Sequence, residues 1–295
     1  MIATVLLTSM MMLACGGPPA DFMAETAQRS DFKERDEFRQ TYQLAPGARV
    51  EVSSIRGHVE ISNSDTSTAE VEIIRTARSR ADLEYHKIEV QQTANSLVVR
   101  GVQEPQDRRR DNIQVNHKVI LKLPRSIDLS VSSVSGHLKV GDVDGQTHAS
   151  SISGSVTLGN VGGKSQVSSI SGNLEVGNVG AEAGVTSISG NLRLGQVNGS
   201  LDVTSISGSL NATLLTLYPQ GIHIKSISGS VEIGFKSDIN ADFDAEHVSG
   251  QVYLDVPNVT RHDEERSNGL RARIGVGGTP ISISSVSGNI RLTRS

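Results

Sequence analysis

Apolar and polar residues begin to alternate at Val50 and Val52, just after the turn signal Pro46-Gly47, and alternation returns in short runs to the C terminus. Period two is the mark of a half-buried strand. The runs are interrupted at fixed places by a Ser-Ser-Ile/Val-Ser-Gly turn. Its glycines are Gly136, Gly154, Gly172, Gly190 and Gly208, each eighteen residues after the last. Looser copies end at Gly229, Gly250 and Gly288, after intervals of 21, 21 and 38 residues, and an early one ends at Gly57. A fixed long period with several breaks per copy predicts an all-β fold, a parallel β-helix (β-solenoid) with roughly 18-residue, three-sided rungs.

In the copy around Gly172, Val167 and Ser169 share one phase, whereas Ile170, Leu174 and Val176 share another. That shift implies a bend between Ser169 and Ile170. Two apolar columns are then expected inside. One is Val134, Ile152, Ile170, Ile188, Ile206, Ile227, Val248 and Val286; the other is Leu138, Val156, Leu174, Leu192, Leu210, Val231, Val252 and Ile290. Ser155, Asn173, Glu175, Asn191 and Arg193 should face outward. Arg291 and Arg294 on the last strand should discourage end-to-end pairing.

The rest of the chain divides around this repeat. Residues 2–14 (IATVLLTSMMMLA) form an apolar run too short to span a membrane as a mature helix, and small residues follow it. Residues 1–14 are expected to be a lipoprotein-type signal peptide, with Cys15 as the lipidated residue; an ordinary signal cut near Ala14 is the alternative. Residues 15–45 read as a tether and 46–295 as the solenoid domain. Within it lie irregular rungs (46–123), regular repeats (124–256), a polar insertion (258–272) and a C-terminal rung (273–295).

The Ser-Gly turns, the passage KVILKLPRSIDLSVSSVSG (118–136) and the lipobox-like start together resemble a bacterial family of candidate adhesins built on a domain of unknown function. The resemblance covers roughly residues 46–295. It implies an exported β-helix protein, lipid-anchored or attached to a membrane segment. Its name asserts adhesion, and it supplies no catalytic residues.

Composition and candidate chemistry agree with a binding module rather than an enzyme. Aromatic residues make up 3% of the chain, there is no Trp, and Gly occurs 29 times, so aliphatic layers must fill the core. A net charge of −4 with mixed signs gives no basic stripe for nucleic acid. The serine column Ser133, Ser151, Ser169, Ser187, Ser205, Ser226 and Ser285 invites a polymer-binding role, but a small hydroxyl at a bend explains it as well. His247 takes the serine place in its copy, and His58 and His137 take equivalent places in distant copies. No histidine pair has metal-ligand spacing. Asp142 and Asp144 do not recur as a calcium roll requires. No cofactor, metal or catalytic residue is therefore expected. The expected function is that of a lipid-anchored cell-envelope module that binds an envelope protein or polysaccharide. A carbohydrate-active β-helix enzyme is the alternative.

Overall fold

The computed structural model describes residues 32–103, 115–261 and 269–294. The signal peptide, Cys15, the QDRRRD stretch at 106–111 and the centre of the polar insertion lie outside the described residues.

The strands are, in chain order, β1 (Glu34–Gln43), β2 (Ala48–Ser64), β3 (Thr68–Ala77), β4 (His86–Thr93), β5 (Ser96–Gln103), β6 (Val115–Pro124), β7 (Ile127–Ser135) and β8 (Leu138–Val140). There follow β9 (Thr147–Ser153), β10 (Val156–Leu158), β11 (Ser165–Ser171), β12 (Leu174–Val176), β13 (Ala183–Ser189), β14 (Leu192–Asn198), β15 (Leu201–Ser207) and β16 (Leu210–Thr216). The last are β17 (Ile222–Ser228), β18 (Val231–Phe235), β19 (Ala241–Ser249), β20 (Val252–Asp255), β21 (Val259–Arg261), β22 (Gly269–Ile274), β23 (Thr279–Ser287) and β24 (Ile290–Arg294). One short helix, α1 (Arg80–Tyr85), is capped by Ser79, whose side chain accepts from the Asp82 amide.

Each regular rung contributes a long strand to a front sheet and a short strand to a back sheet, and the third side is a single residue. Front strands stack in parallel as β7, β9, β11, β13, β15 and β17. Back strands stack as β8, β10, β12, β14, β16 and β18. Val143, Val161, Val179 and Val197 bridge rung to rung along the third side. The three-sided solenoid expected from the period is therefore present.

The phase of the front strand differs from the expectation. Val167 and Ser169 point inward and the strand simply continues, so Ile170 points outward. The chain bends later, at Gly172, whose φ of +133° is open to glycine and strained for other residues. The column Ile152, Ile170, Ile188, Ile206, Ile227 and Val286 is thus 43–51% exposed. Ser133, Ser151, Ser169, Ser187, Ser205, Ser226 and Ser285 are buried instead. The physical reason lies at the corner. A Cβ added to Gly154, Gly172 or Gly190 would overlap the carbonyl oxygen of the glycine one rung before. Where rungs close this tightly, a serine fits the inside of the turn and a branched side chain is turned out. The back-sheet column is buried as expected from Leu138 to Val231 and at Ile290, while Val252 is half-buried.

Rung order also departs from chain order at both ends. The front and back halves of β2 pair with β7 and β8 on one side and with β5 and β6 on the other. The β5–β6 rung therefore lies outside β2. At the far end β23 inserts between β17 and β19, and β24 between β18 and β20. Arg291 and Arg294 consequently lie on an interior strand and guard no edge. The irregular N-terminal rungs are partly antiparallel: β4 pairs with β5, β3 with β6 and β1 with β3. Residues 34–43, expected to be tether, form β1.

Two columns can be separated by truncation. Leu192→Ala should cost about 2–5 kcal/mol in denaturant melts, whereas Ile188→Ala should cost under about 1 kcal/mol, because its side chain is already half in water. Gly190→Ala should cost about 2 kcal/mol or more, through positive φ and the clash with the rung before.

Candidate binding surface

The outer face of the front sheet carries two adjacent columns. One is the exposed aliphatic row from Ile152 to Val286. Two residues earlier in each strand lie Ser150, Ser168, Thr186, Thr204, Lys225 and Ser284, half-buried or exposed. Parallel rungs repeat at ~4.8 Å, so the row is a straight ridge of β-branched side chains. Half-exposure of each isoleucine forgoes about 1 kcal/mol of the roughly 1.5–3 kcal/mol that full burial supplies. A partner that covers the row recovers it.

The outer face of the back sheet is different in kind. Lys139, Thr157, Glu175, Arg193, Asn211 and Glu232 form its column. Lys139 reaches Glu60 at 3.6 Å, and Asn211 donates to Glu232 at 3.1 Å. Beyond it Arg291 lies over the Tyr253 ring, 5.0 Å from its centroid. Glu175, Asn173, Asn191 and Arg193 are exposed as expected and Ser155 is half-buried.

The corners are saturated by side chains. Asn63 Oδ1 accepts from the Asp142 amide, Asp142 from Asn160, Asn160 from Asn178 and Asn178 from Gln196, at 2.8–3.0 Å. Asp142 also meets Arg125 at 3.2 Å. It is a corner cap in a ladder, and Asp144 is exposed away from it. The serine column faces the interior and presents no hydroxyl array to a polymer. Ser133 donates to the Ile55 and Ser135 carbonyls, whereas the hydroxyls of Ser151, Ser169, Ser187, Ser205 and Ser285 have no partner among the described residues. His247 stands opposite Ser285 in register, and its side chain lies outside the described residues.

His58 and His137 are not distant. The out-of-order rung makes them neighbours, with stacked rings 5.4 Å apart. His58 borders an open cleft of about 750 Å³ at the β5–β6 end, lined by Arg56, His86, His117 and Lys118 among others. His117 is buried. Its Nδ1 donates to the Arg56 carbonyl at 2.9 Å, and Nε2 makes no close hydrogen bond among the described residues. Burial holds both His117 and His86 below the ordinary histidine range, and in His86 the Arg56 charge adds to the effect. Beneath them Arg75 ties β1, α1 and β4 together. It pairs with Asp36 and donates to the Leu83 and His86 carbonyls at 2.9 Å. Among the described residues no three His, Cys, Asp or Glu side chains converge as a metal set, and no helix is long and apolar enough to cross a membrane. Sequence spacing missed this cleft because β3, β4 and β6 assemble it from separate segments.

The family model for Toastrack DUF4097 matches residues 48–293, which is the solenoid described above. The chain belongs to that family. Among solved structures, this Toastrack chain is similar to a candidate adhesin from Parabacteroides distasonis, at 14% identity over 87% of this chain and 97% of that one, with a TM-score of 0.48. It is also similar to a candidate adhesin from Bacteroides fragilis, at 12% identity over 87% and 97%, with a TM-score of 0.42. No curated protein matches it.

The buried histidines of the Toastrack domain set an acid limit. Their folded pKa values lie below 6.5, so the unfolded chain takes up protons first on acidification. Stability is complete above that value and falls as the pH drops through it, by up to ~1.4 kcal/mol per pH unit for each histidine. His117→Gln, which keeps a donor for the Arg56 carbonyl, should flatten that limb in melts recorded at descending pH.

Proposed function

We propose that this chain is a non-catalytic, lipid-anchored module of the bacterial cell envelope that binds a partner protein through the front face. The observation that carries the reading is the exposed row Ile152, Ile170, Ile188, Ile206, Ile227 and Val286, set on a rigid ladder and left without a cover. A large contiguous apolar surface on a folded protein marks an interaction site. A protein surface suits it better than a sugar chain, because the row is aliphatic and offers no aromatic platform. Adhesion is the role that the family resemblance implies. The regular rungs bring no nucleophile, base and acid together among the described residues, which favours binding over turnover. Attachment of many copies to one membrane through Cys15 raises their effective concentration, so weak contacts along the row suffice.

Two experiments test the two halves of the reading. Cys15→Ala should release the protein from the membrane fraction. A mature protein that begins elsewhere, with an unmodified Cys15, contradicts the anchor. For the face, a photo-cross-linking residue at 188 should give a discrete protein adduct in intact cells, and the same residue at 175 on the back sheet should not. Ile170→Asp with Ile206→Asp should abolish the adduct and leave the melting curve within about 1 kcal/mol of the parent. A glycosidase-sensitive smear in place of the discrete band transfers the reading to a polysaccharide. Reproducible turnover of an envelope polysaccharide, lost on changing one residue, favours the enzyme instead.

A further inference from the structure

The aliphatic row of the front face has a spacing that few surfaces match. Its side chains recur once per rung, at ~4.8 Å. A helix laid along the row repeats every ~5.4 Å and falls out of step by about 3 Å over six residues. A second copy of this chain carries the same spacing and the same β-branched residues, so each ridge can seat between the side chains of the other. The rungs from Val134 to β19 extend about 34 Å and the front strands about 23 Å across, a footprint of roughly 800 Å². That is about the area per partner of a standard interface.

A second observation lies beside the row. Gly184 points outward on β13, between Gln166 of β11 and Asp202 of β15. Glycine weakens a strand, and nothing within the chain requires it here. Its φ is not positive, and an added Cβ would meet nothing closer than Gln166 Cγ at 3.5 Å, an ordinary contact. The corner glycines, by contrast, are closed in by the rung before. A strand glycine of this kind marks close approach from outside. The missing side chain leaves a notch in the outer face, on the same strand as Thr186 and Ile188.

We infer that the front face is a two-fold interface between two copies of this chain. The inference rests on the front-face reading and names its partner. Closed two-fold dimers pair one patch with itself. With the axis along the strands, midway between the Ile188 and Ile206 rungs, each rung faces one of the other copy in reverse order, and no rung from Val134 to β19 is left over. Ile188 opposes Ile206, Ile170 opposes Ile227 and Ile152 opposes Val286. Asp202 is the one carboxylate on β9, β11, β13 and β15, which carry no Lys or Arg. It opposes Gly184 and enters the notch, while Lys225 opposes Ser168. Moving the axis onto the Ile206 rung would set Asp202 against its own copy, so charge and overlap select the same register.

The test places two differently tagged full-length copies in the same cells, with a photo-cross-linking residue at 188 of one. The expected adduct carries both tags, and its linked peptide contains β15 of the other copy. Gly184→Gln fills the notch, and Thr186→Arg sets a charge against Thr204 of the other copy. Each, made in both copies, should reduce the adduct roughly tenfold or more, whereas Thr157→Gln on the back sheet should not. Both positions face outward, so unfolding of either variant in dilute solution should match the parent's. An adduct that joins one tag to a different protein overturns the inference and leaves the front-face reading standing. No adduct at all removes both. A two-tag adduct that neither substitution reduces reports crowding on the membrane and overturns the inference as well.

Discussion

The spacing between rungs governs everything else in this protein. Neighbouring strands must sit at hydrogen-bonding distance along the whole solenoid, and at the corner that follows each front strand two backbones approach so closely that no Cβ fits between them. Gly136 N donates to the Ser153 carbonyl, Gly154 to Ser171 and Gly172 to Ser189, at 2.9–3.0 Å. Glycine at that corner, with φ between +100° and +134° in the regular copies from Gly136 to Gly208, satisfies both demands at once. The tight corner leaves little room inside, and that explains the buried serine just before it. The isoleucine next to the serine must then face water, because a continuing strand alternates.

From that arrangement the two outer faces acquire different characters. The back sheet pairs or hydrates its polar side chains. The front sheet carries an aliphatic ridge. The out-of-order rungs at each end follow the same logic of covering exposed backbone. An end rung of a solenoid offers unpaired N–H and C=O groups to any other strand. Here the β5–β6 rung is covered by β4 on its front side and by β3 and β1 on its back side, and β19 is covered by β22. The outermost of these, β1, reads ERDEFRQTYQ, a charged edge that resists further pairing.

Much of the solenoid was legible in the sequence. The eighteen-residue period, the glycine corners and the column from Leu138 to Ile290 all follow from alternation and repeat length. The front-strand phase was not legible by hydrophobicity, because Ser169 and Ile170 compete for the inward place and the apolar residue is the obvious choice. Corner geometry reverses that choice, and corner geometry is a property of stacked rungs rather than of one copy. Rung order was equally hidden. Copies with nearly identical turns can stack in any order, so the return of β23 and β24 between earlier rungs leaves no mark on the motif. For the same reason His58 and His137 looked remote although one rung interface joins them. The histidine-lined cleft arises from β2, β3, β4 and β6, and no local pattern announces it.

The outward row of isoleucines is the central claim, and solvent reactivity of introduced thiols tests it most directly. With Cys15 replaced by serine, Ile170→Cys and Leu174→Cys place one thiol on each side of the Gly172 corner. In the native protein a maleimide should label residue 170 at a rate close to that of a free thiol, while residue 174 should react only after denaturant is added. Protection at 170 together with rapid labelling at 174 would show that the aliphatic row is core and that the front face is something else.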